Sequence, residues 1–398
     1  MLFVPEEVFA DRHRRVREWL QKHECFALLV QDPDHFYMLT GFHLDVAPWE
    51  RPVAAVIPAT GDPFLIMNEL STHHLMMARA RGTLFTTDWA IYVEHPRSVN
   101  RTYTRDRWTD LLATRLKAAG FRRGRLAADR ISVFRGLRAT LPGLSEFASA
   151  ARFLVEMRQR KYPTELEIMR AGAALTDWGQ DRYMELIKPG MLVADLDLEI
   201  ARQIAVEGAR RFPEDRLEVR VWSLSGHHSC SPHGTGADAG ARFERGDGVV
   251  NIIIVRLNGL VVENERTLFL GEPRTELQRR AYLAATEANL AALEKFVEGT
   301  PVAEVDAAAQ RVIEQHGFGD HIMHRTGHGM GIAGHEFPED MAFNYRPLME
   351  HEVYSCEPGI YIYGVGGFRQ DDTVVVGKTQ PEVLTTRSKR IEDQTVPV

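Results

Sequence analysis

The sequence predicts an α+β protein of two domains, residues 1–155 and 156–398, on the strength of three observations. The chain has 398 residues, more than a single hydrophobic core usually serves. Helical and strand patterns alternate through the N-terminal part, which is typical of an α/β layer. In the C-terminal part a helix-opening segment recurs after a turn, which predicts two similar halves built from helices and strands.

The N-terminal domain is expected to contain two amphipathic helices, a buried strand, a hairpin and a further short strand. The hairpin turns at Thr60 and Gly61, because these residues separate two apolar runs. In chain order the predicted elements are the helix 5–23, the strand 25–31, the hairpin 53–68, the helix 107–119 and the strand 125–128.

The C-terminal domain is expected to open near Thr164, where Thr164 and Glu167 form a possible capping box for a long helix that ends before Pro189. Segments 193–197 and 302–306 each follow a glycine-containing turn and each open an amphipathic helix. Each half then ends in strands, predicted at 248–255 with 260–270 and at 352–363 with 373–376, with hairpin turns at 258–259 and 364–367.

Composition limits the classes of partner. A formal charge of -7 and a pI near 6.2 argue against nucleic acid or an anionic membrane, so a small-molecule substrate is expected. The sequence has no signal-peptide core and no apolar run of membrane-spanning length, which predicts a cytoplasmic protein. Three separated cysteines fit neither a disulfide framework nor a zinc cluster.

Three glycine-rich segments near the C-terminus carry histidines and carboxylates, namely 325–331 around His328, 334–336 with His335, and 356–361 with Glu357. These segments resemble the signatures of the pita-bread superfamily, which contains creatinase and the Xaa-Pro peptidases. With 367–373 and 231–234 in the expected order, the resemblance covers about 240 residues. It implies a C-terminal pita-bread catalytic domain behind a creatinase-type domain, and a homodimer.

The metallopeptidases of this superfamily bind two metal ions through two Asp, one His and two Glu. Aligning the family's Arg-Thr pair with residues 266–267 places Glu263 at the second Asp and Ile252 at the first. His328 and Glu357 match ligand positions, and Asp371 stands where a Glu is usual. Because two ions need several bridging anionic oxygens, this incomplete pattern predicts that no metal is bound and that no cofactor is used.

The segment 265–269, Glu-Arg-Thr-Leu-Phe, resembles the same hairpin of creatinase, the metal-independent branch. That resemblance implies that His233 acts as acid and base, that Glu265 and Glu357 grip a cationic substrate, and that His328 holds a carboxylate or oxyanion. Asp371 departs from the creatinase pattern.

The remaining predicted substrate contacts are His335 and Asp371, with Trp49 and Arg51 reaching a partner subunit's pocket. His335 could instead orient His328. Trp49 and Arg51 are aligned with the creatinase residues that reach a partner subunit's site, and this alignment rests on their spacing to the following strand.

The sequence therefore predicts a metal-independent hydrolase of a carbon-nitrogen bond in a small charged or zwitterionic substrate, similar to creatinase or ectoine hydrolase. One alternative is a Xaa-Pro dipeptidase that uses Mn²⁺ or another divalent metal, with Glu263, His328, Glu357 and Asp371 as ligands. A further alternative is a non-catalytic pita-bread binding module.

Overall fold

The computed structural model describes residues 2–94, 107–234, 238–336 and 341–398. The chain forms two compact units: an N-terminal unit, Val4–Arg158, and a C-terminal unit, Gln159–Val398, which also takes in Leu2 and Phe3. Mixed helix and sheet in both units confirms the predicted two-domain α+β fold. The exact boundary predicted between residues 155 and 156 stays a prediction. No helix in the described ranges combines the length and apolarity needed to span a bilayer.

The N-terminal unit is a six-stranded sheet, in the order β4-β3-β2-β1-β5-β6, with helices. The predicted hairpin forms between β2 and β3, where Val56 pairs with Phe64. Its elements are α1 (Glu6–Lys22), β1 (Cys25–Val30), α2 (Pro33–Thr40), β2 (Ala54–Pro58), β3 (Phe64–Asn68), α3 (Thr72–Arg81), β4 (Trp89–Tyr92), α4 (Trp108–Ala118), β5 (Gly124–Ala128), α5 (Ile131–Phe134), α6 (Leu137–Thr140), β6 (Leu144–Ser149) and α7 (Ala151–Gln159).

A buried histidine on α1 makes the stability of this unit depend on pH. The His13 ring lies 2.7 Å from the Leu39 carbonyl, to which its Nε2 donates, and burial together with the nearby Arg17 and Arg12 lowers its pKa to about 4. An unfolded histidine has a pKa near 6.5. Protonation therefore favours the unfolded state, and stability present above pH 6.5 is lost as the pH falls toward 4.

His13→Gln keeps a hydrogen-bond donor for the Leu39 carbonyl but has no titrating ring. We therefore expect the stability of this variant to decrease less as the pH falls. The shift in the His13 pKa corresponds to roughly 3 kcal/mol. Melting temperatures measured by calorimetry between pH 7 and 4 should fall less steeply in the variant than in the wild-type protein. Identical slopes would show that His13 does not control this pH dependence.

The C-terminal unit repeats a helix-then-strand pattern, as predicted. The helices that begin at Val193 and Val302 open where the two similar sequence segments lie. Its elements are α8 (Pro163–Leu186), α9 (Val193–Arg211), β7 (Leu217–Ser225), β8 (Gly248–Leu257), β9 (Leu260–Leu270), α10 (Glu276–Leu293), α11 (Val302–Gln315), β10 (Val353–Cys356), β11 (Gly359–Ile362), β12 (Gly366–Arg369), β13 (Asp371–Val375), β14 (Glu382–Val383) and β15 (Thr395–Val396).

One sheet joins the two halves of this unit. Its strands lie in the order β10-β13-β9-β8-β7, with β14 on β13 and β15 on β9. The hairpin β8–β9 turns at Asn258 and Gly259, both at positive φ. Strand β13 pairs with β9 so that Asp371 lies opposite Glu265. This pairing brings carboxylates that are over 100 residues apart in the chain onto neighbouring strands.

The start of α8 differs from the prediction. The helix begins at Pro163, and the Tyr162 backbone N–H donates to the Glu165 carboxylate at 3.0 Å. The capping carboxylate is thus Glu165 rather than Glu167, because the fixed φ of Pro163 suits the first helical position and starts the helix earlier.

Candidate active site

The C-terminal unit contains a pocket of about 710 Å³ above the strands β7, β8 and β9. It is bordered by acidic, basic and aromatic side chains: Glu218, Val219, Arg220, Trp222, Pro232, His233, Ile254, Arg256, Val261, Glu263, Glu265, His328, Gly334, His335, Glu357 and Arg369. Five residues that the sequence singled out as candidates for chemistry therefore share one pocket with Glu263, which belonged to the alternative ligand set.

Strand β9 contributes two glutamates to the pocket. Glu263 and Glu265 are two residues apart, so both side chains lie on the same face of the sheet. Both are buried, at 8% and 6% exposure. Burial of carboxylates is costly unless cations or donors compensate, so this face requires positive partners.

His328 lies between two glutamates. Its Nε2 is 3.5 Å from a carboxylate oxygen of Glu263 and 3.5 Å from one of Glu357. Burial alone would lower the pKa of His328, but the hydrogen bond and charge of Glu263 and the charge of Glu357 raise it overall. The imidazole and the two carboxylates thus form one electrostatic group.

The backbone around His328 is fixed by strand β10. The His328 N–H donates to the Ser355 hydroxyl at 3.0 Å, and the Ser355 N–H donates to the His328 carbonyl at 2.9 Å. A Cβ on Gly327 would lie 2.1 Å from the Ser355 carbonyl oxygen. Only glycine therefore allows this close approach, which explains the glycine before the histidine.

Glu357 follows the end of β10, where Glu357 and Pro358 interrupt the long strand predicted from the sequence. Arg369 on β12 reaches two glutamates: its Nε pairs with Glu265, and its Nη1 lies 3.8 Å from Glu357. Burial raises the pKa of Glu357, but the charges of Arg369 and the neighbouring histidines outweigh it and hold that pKa below its usual value. Glu357 is therefore ionised at neutral pH.

Too many carboxylates share this site for all of them to be ionised without another cation. Burial, only partly offset by Arg369, raises the pKa of Glu265 to about 8, and burial with the neighbouring carboxylates raises that of Asp371 well above its usual range. Asp371 accepts a hydrogen bond from the Cys356 N–H at 3.2 Å through Oδ1. Its buried Oδ2 has no hydrogen-bond partner within the described residues. The cluster thus has a carboxyl oxygen, Oδ2 of Asp371, that is free to bind a cation.

The donors suit one metal ion better than two. Within the described ranges, no group of three or more His, Cys, Asp or Glu side chains is arranged to hold an ion as it stands. The two 3.5 Å separations around His328 are nevertheless close to the roughly 3.4 Å expected between ligands of a tetrahedral ion with bonds of about 2.1 Å. Glu263, His328 and Glu357, with Asp371 opposite Glu265 on the neighbouring strand, would therefore fit a single ion.

A second ion lacks ligands on strand β8. Ile252 is fully buried and packs with Leu224 and Val250. Asn251 points to the other face of the sheet and donates to the Ser223 hydroxyl at 3.0 Å. Glu265 is held by Arg369. Since a two-ion site needs bridging carboxylates, the residues present do not fit a pair of ions.

Two predicted histidines lie on the same pocket, and two predicted residues lie in the other unit. His335 stacks on His328, with ring centroids 3.6 Å apart, and burial and the charge of His328 lower its pKa. His233 is exposed and borders the pocket. In the N-terminal unit Trp49 is 85% exposed, while Arg51 forms ion pairs with Glu50 and Glu94.

Sequence reasoning assigned no role to Arg369, Arg220 or Trp222. Arg369 lies in the segment 367–373, which resembles the superfamily, and it is two residues before Asp371. That position was the sequence signal that could have identified Arg369 as a site residue. Arg220 and Trp222 lie on β7, a strand that was not predicted, and the alternation of residues along 217–222 was its only sequence signal.

Comparisons with known proteins agree with both units. Residues 167–378 match the protein family described as "Metallopeptidase family M24", and residues 12–160 match the family described as "Creatinase/Prolidase N-terminal domain". The chain is 30% identical to the Xaa-Pro dipeptidase of Pyrococcus furiosus, over 62% of this chain and 69% of that protein.

Solved structures cover nearly the whole chain. The dipeptidase PepE of Mycobacterium ulcerans aligns with a TM-score of 0.80 at 27% identity over 100% of both chains. The Xaa-Pro dipeptidase of Bacillus anthracis aligns with a TM-score of 0.80 at 21% identity, over 98% of this chain and 100% of that one, which supports the fold. These findings confirm the predicted superfamily and the prediction of a hydrolase.

Two predictions were wrong. A metal-independent, creatinase-like hydrolase is contradicted because the relatives carry the names of dipeptidases and Xaa-Pro dipeptidases. The absence of a cofactor is contradicted because the matching family is one of metallopeptidases. The physical reason for both errors is the same: buried glutamates beside a histidine can bind either a cationic substrate or a metal ion, and the short segment 265–269 could not decide between them.

Proposed function

We propose that this chain, which belongs to metallopeptidase family M24, hydrolyses the peptide bond of dipeptides of the Xaa-Pro type. The observation that supports this most is the grouping of Glu263, His328 and Glu357, with 3.5 Å separations around His328, together with Asp371, whose Oδ2 has no hydrogen-bond partner among the described residues. Such a set of buried oxygens and one imidazole suits a divalent ion of the Mn²⁺ class.

When bound by these side chains, the ion would supply Lewis acidity toward the scissile carbonyl. The chain's own residues have separate tasks. Arg369 keeps Glu265 in place through their ion pair and neutralises part of the cluster's charge. His335, stacked on His328 with a lowered pKa, offers a neutral imidazole to the pocket. Such an imidazole can accept a proton or a substrate hydrogen bond.

The size and lining of the pocket favour a small substrate. A volume of about 710 Å³ is in the range of pockets that bury small organic ligands. Acidic side chains at one wall suit the ammonium group of a dipeptide through charge-assisted hydrogen bonds. The roles of His233, Glu265 and His335 in the reaction are part of this proposal.

The assembly and location are proposals as well. We propose a homodimer, supported by the 85% exposed Trp49, since a large exposed aromatic side chain is common at protein interfaces. Trp49 and Arg51 would then contact the partner's site. We also propose a cytoplasmic location, which rests on the sequence prediction alone.

A panel of peptides tests the proposed activity. With Mn²⁺ present, purified protein should hydrolyse Ala-Pro and Phe-Pro with kcat/KM of at least about 10⁴ M⁻¹ s⁻¹, and should cleave the tripeptide Ala-Pro-Ala far more slowly. Product amino acids can be quantified by chromatography, with His328→Ala as the inactive control. If no peptide is cleaved with Mn²⁺, Co²⁺, Zn²⁺ or Mg²⁺, the proposed function is wrong.

A further inference from the structure

Residues on three adjacent strands form a row across the floor of the pocket. Arg220 on β7 lies opposite Ile254 on β8, and Ile254 lies opposite Glu263 on β9. Arg220, Ile254 and Glu263 all border the pocket. The row thus runs from a cation, across an apolar side chain, to the carboxylate beside His328.

A parallel row stabilises the basic end. Trp222 lies opposite Ile252, which lies opposite Glu265. The Arg220 guanidinium lies over the Trp222 ring, 4.1 Å from its centroid. Trp222 in turn packs on the buried cluster that includes Ile252. A guanidinium stacked on an anchored indole is held in position without being neutralised.

Arg220 is available to a ligand, unlike the other two arginines of the pocket. It is exposed, and no acidic side chain or carbonyl in the described part of the chain bonds to it. Arg256 donates to the Ile332 carbonyl at 2.7 Å, and Arg369 is paired with Glu265. Arg220 is therefore the arginine of this pocket that can form a new bidentate contact with a carboxylate.

The spacing of the row matches a dipeptide. Neighbouring strands are about 4.8 Å apart, so the backbones at Arg220 and Glu263 are separated by roughly 10 Å. Two extended residues span about 7 Å, and Arg220 and Glu263 both border the pocket. A zwitterionic dipeptide can therefore place its ammonium at the acidic end and its carboxylate at Arg220.

We propose that Arg220 binds the C-terminal carboxylate of the substrate and thereby selects dipeptides over longer or amidated peptides. The inference rests on the proposed dipeptidase function and adds the residue that determines which length of substrate is accepted. Ile254 supplies the apolar surface between the two charged ends. A third residue on the substrate would move its carboxylate by about 3.5 Å, past the guanidinium that Trp222 holds.

The test compares a free acid with its amide. For the wild-type protein, kcat/KM for Ala-Pro should exceed that for Ala-Pro amide by about tenfold or more, the usual effect of a charged hydrogen-bond pair. Arg220→Met should raise KM for Ala-Pro by about the same factor, leave KM for the amide and kcat within about threefold, and so abolish the preference. Arg220→Lys should restore part of it.

A control and a binding measurement separate the two possible failures. Arg216→Met removes an exposed arginine that pairs with Glu218 and does not border the pocket, and it should keep the wild-type preference. Calorimetric titration with a reduced-bond Ala-Pro analogue and its amide measures affinity without turnover.

Hydrolysis with an acid-to-amide preference unchanged in Arg220→Met would overturn this inference alone. Analogue binding that depends on Arg220, without hydrolysis of any peptide, would overturn the proposed function alone. If the protein neither hydrolyses any peptide nor binds the analogue, the proposed function and this inference are both wrong.

Discussion

Replacing Glu357 by glutamine should lower kcat/KM for Ala-Pro by about 10² to 10⁴ while the fold stays intact. Glu357 lies 3.5 Å from His328 and 3.8 Å from Arg369, and these charges keep its carboxylate ionised. Glutamine preserves the shape but removes the anionic oxygen that a metal ion or a substrate ammonium needs. Losses of this size are typical when one charged group of a preorganised site is removed.

The same substitution should lower the melting temperature only slightly. The positive charges of Arg369 and the neighbouring histidines favour the ionised form of Glu357, and glutamine loses that attraction, but it also removes repulsion from the carboxylates of Glu263, Glu265 and Asp371. Because these two effects oppose each other, the melting temperature should fall by no more than a few degrees. Glu294→Gln, at an exposed helix end of the same unit, should retain activity within about twofold. A Glu357→Gln enzyme of normal kcat/KM would contradict the role given to this residue.

Much of the fold was predictable because local signals agree with it. The hairpin at Asn258 and Gly259 has turn residues suited to positive φ, and the two repeated segments open real helices. The pairing of β13 with β9 was not predictable, since it joins residues more than 100 positions apart. Long-range pairing of this kind leaves little local trace in one sequence.

The sequence predicted which residues form the candidate site but not which chemistry they support. His328, Glu357 and Glu265 border one pocket. Glycine-rich motifs fix the local backbone of His328 and Glu357, whereas Glu265 is placed by strand β9. Glu265 and Arg266 are adjacent in the chain and carry opposite charges. In the structure the Arg266 side chain pairs with Asp372, while Glu265 pairs with Arg369. Strand alternation sends adjacent residues to opposite faces, so only the tertiary structure identifies the partner that tunes Glu265.

Removal of divalent metal should abolish dipeptide hydrolysis, and reloaded protein should bind one ion per chain rather than two. Glu263, His328, Glu357 and the unpartnered Asp371 oxygen supply donors for one ion. The apolar Ile252 leaves strand β8 without a carboxylate for a second ion. Elemental analysis after dialysis against Mn²⁺ should therefore give a ratio near one, and His328→Ala should give a ratio near zero.

A ratio of two would show that ligands for a second ion come from side chains other than those grouped here. His227 is exposed and lies outside this pocket, so it provides a structural control. The His227→Ala variant should still bind one metal ion per chain. Circular dichroism should show that the stripped protein keeps its secondary structure, because the buried Arg266–Asp372 pair and the sheet do not depend on the ion.

The most direct test of a metal-dependent dipeptidase is the initial rate of Ala-Pro hydrolysis by chelator-stripped protein, shown by elemental analysis to be metal-free, before and after Mn²⁺ is added. We expect the stripped protein to have less than about 1% of the reloaded rate, since loss of a Lewis acid removes several kcal/mol of transition-state stabilisation. Equal rates before and after Mn²⁺ is added would contradict a metal-dependent reaction at Glu263, His328 and Glu357.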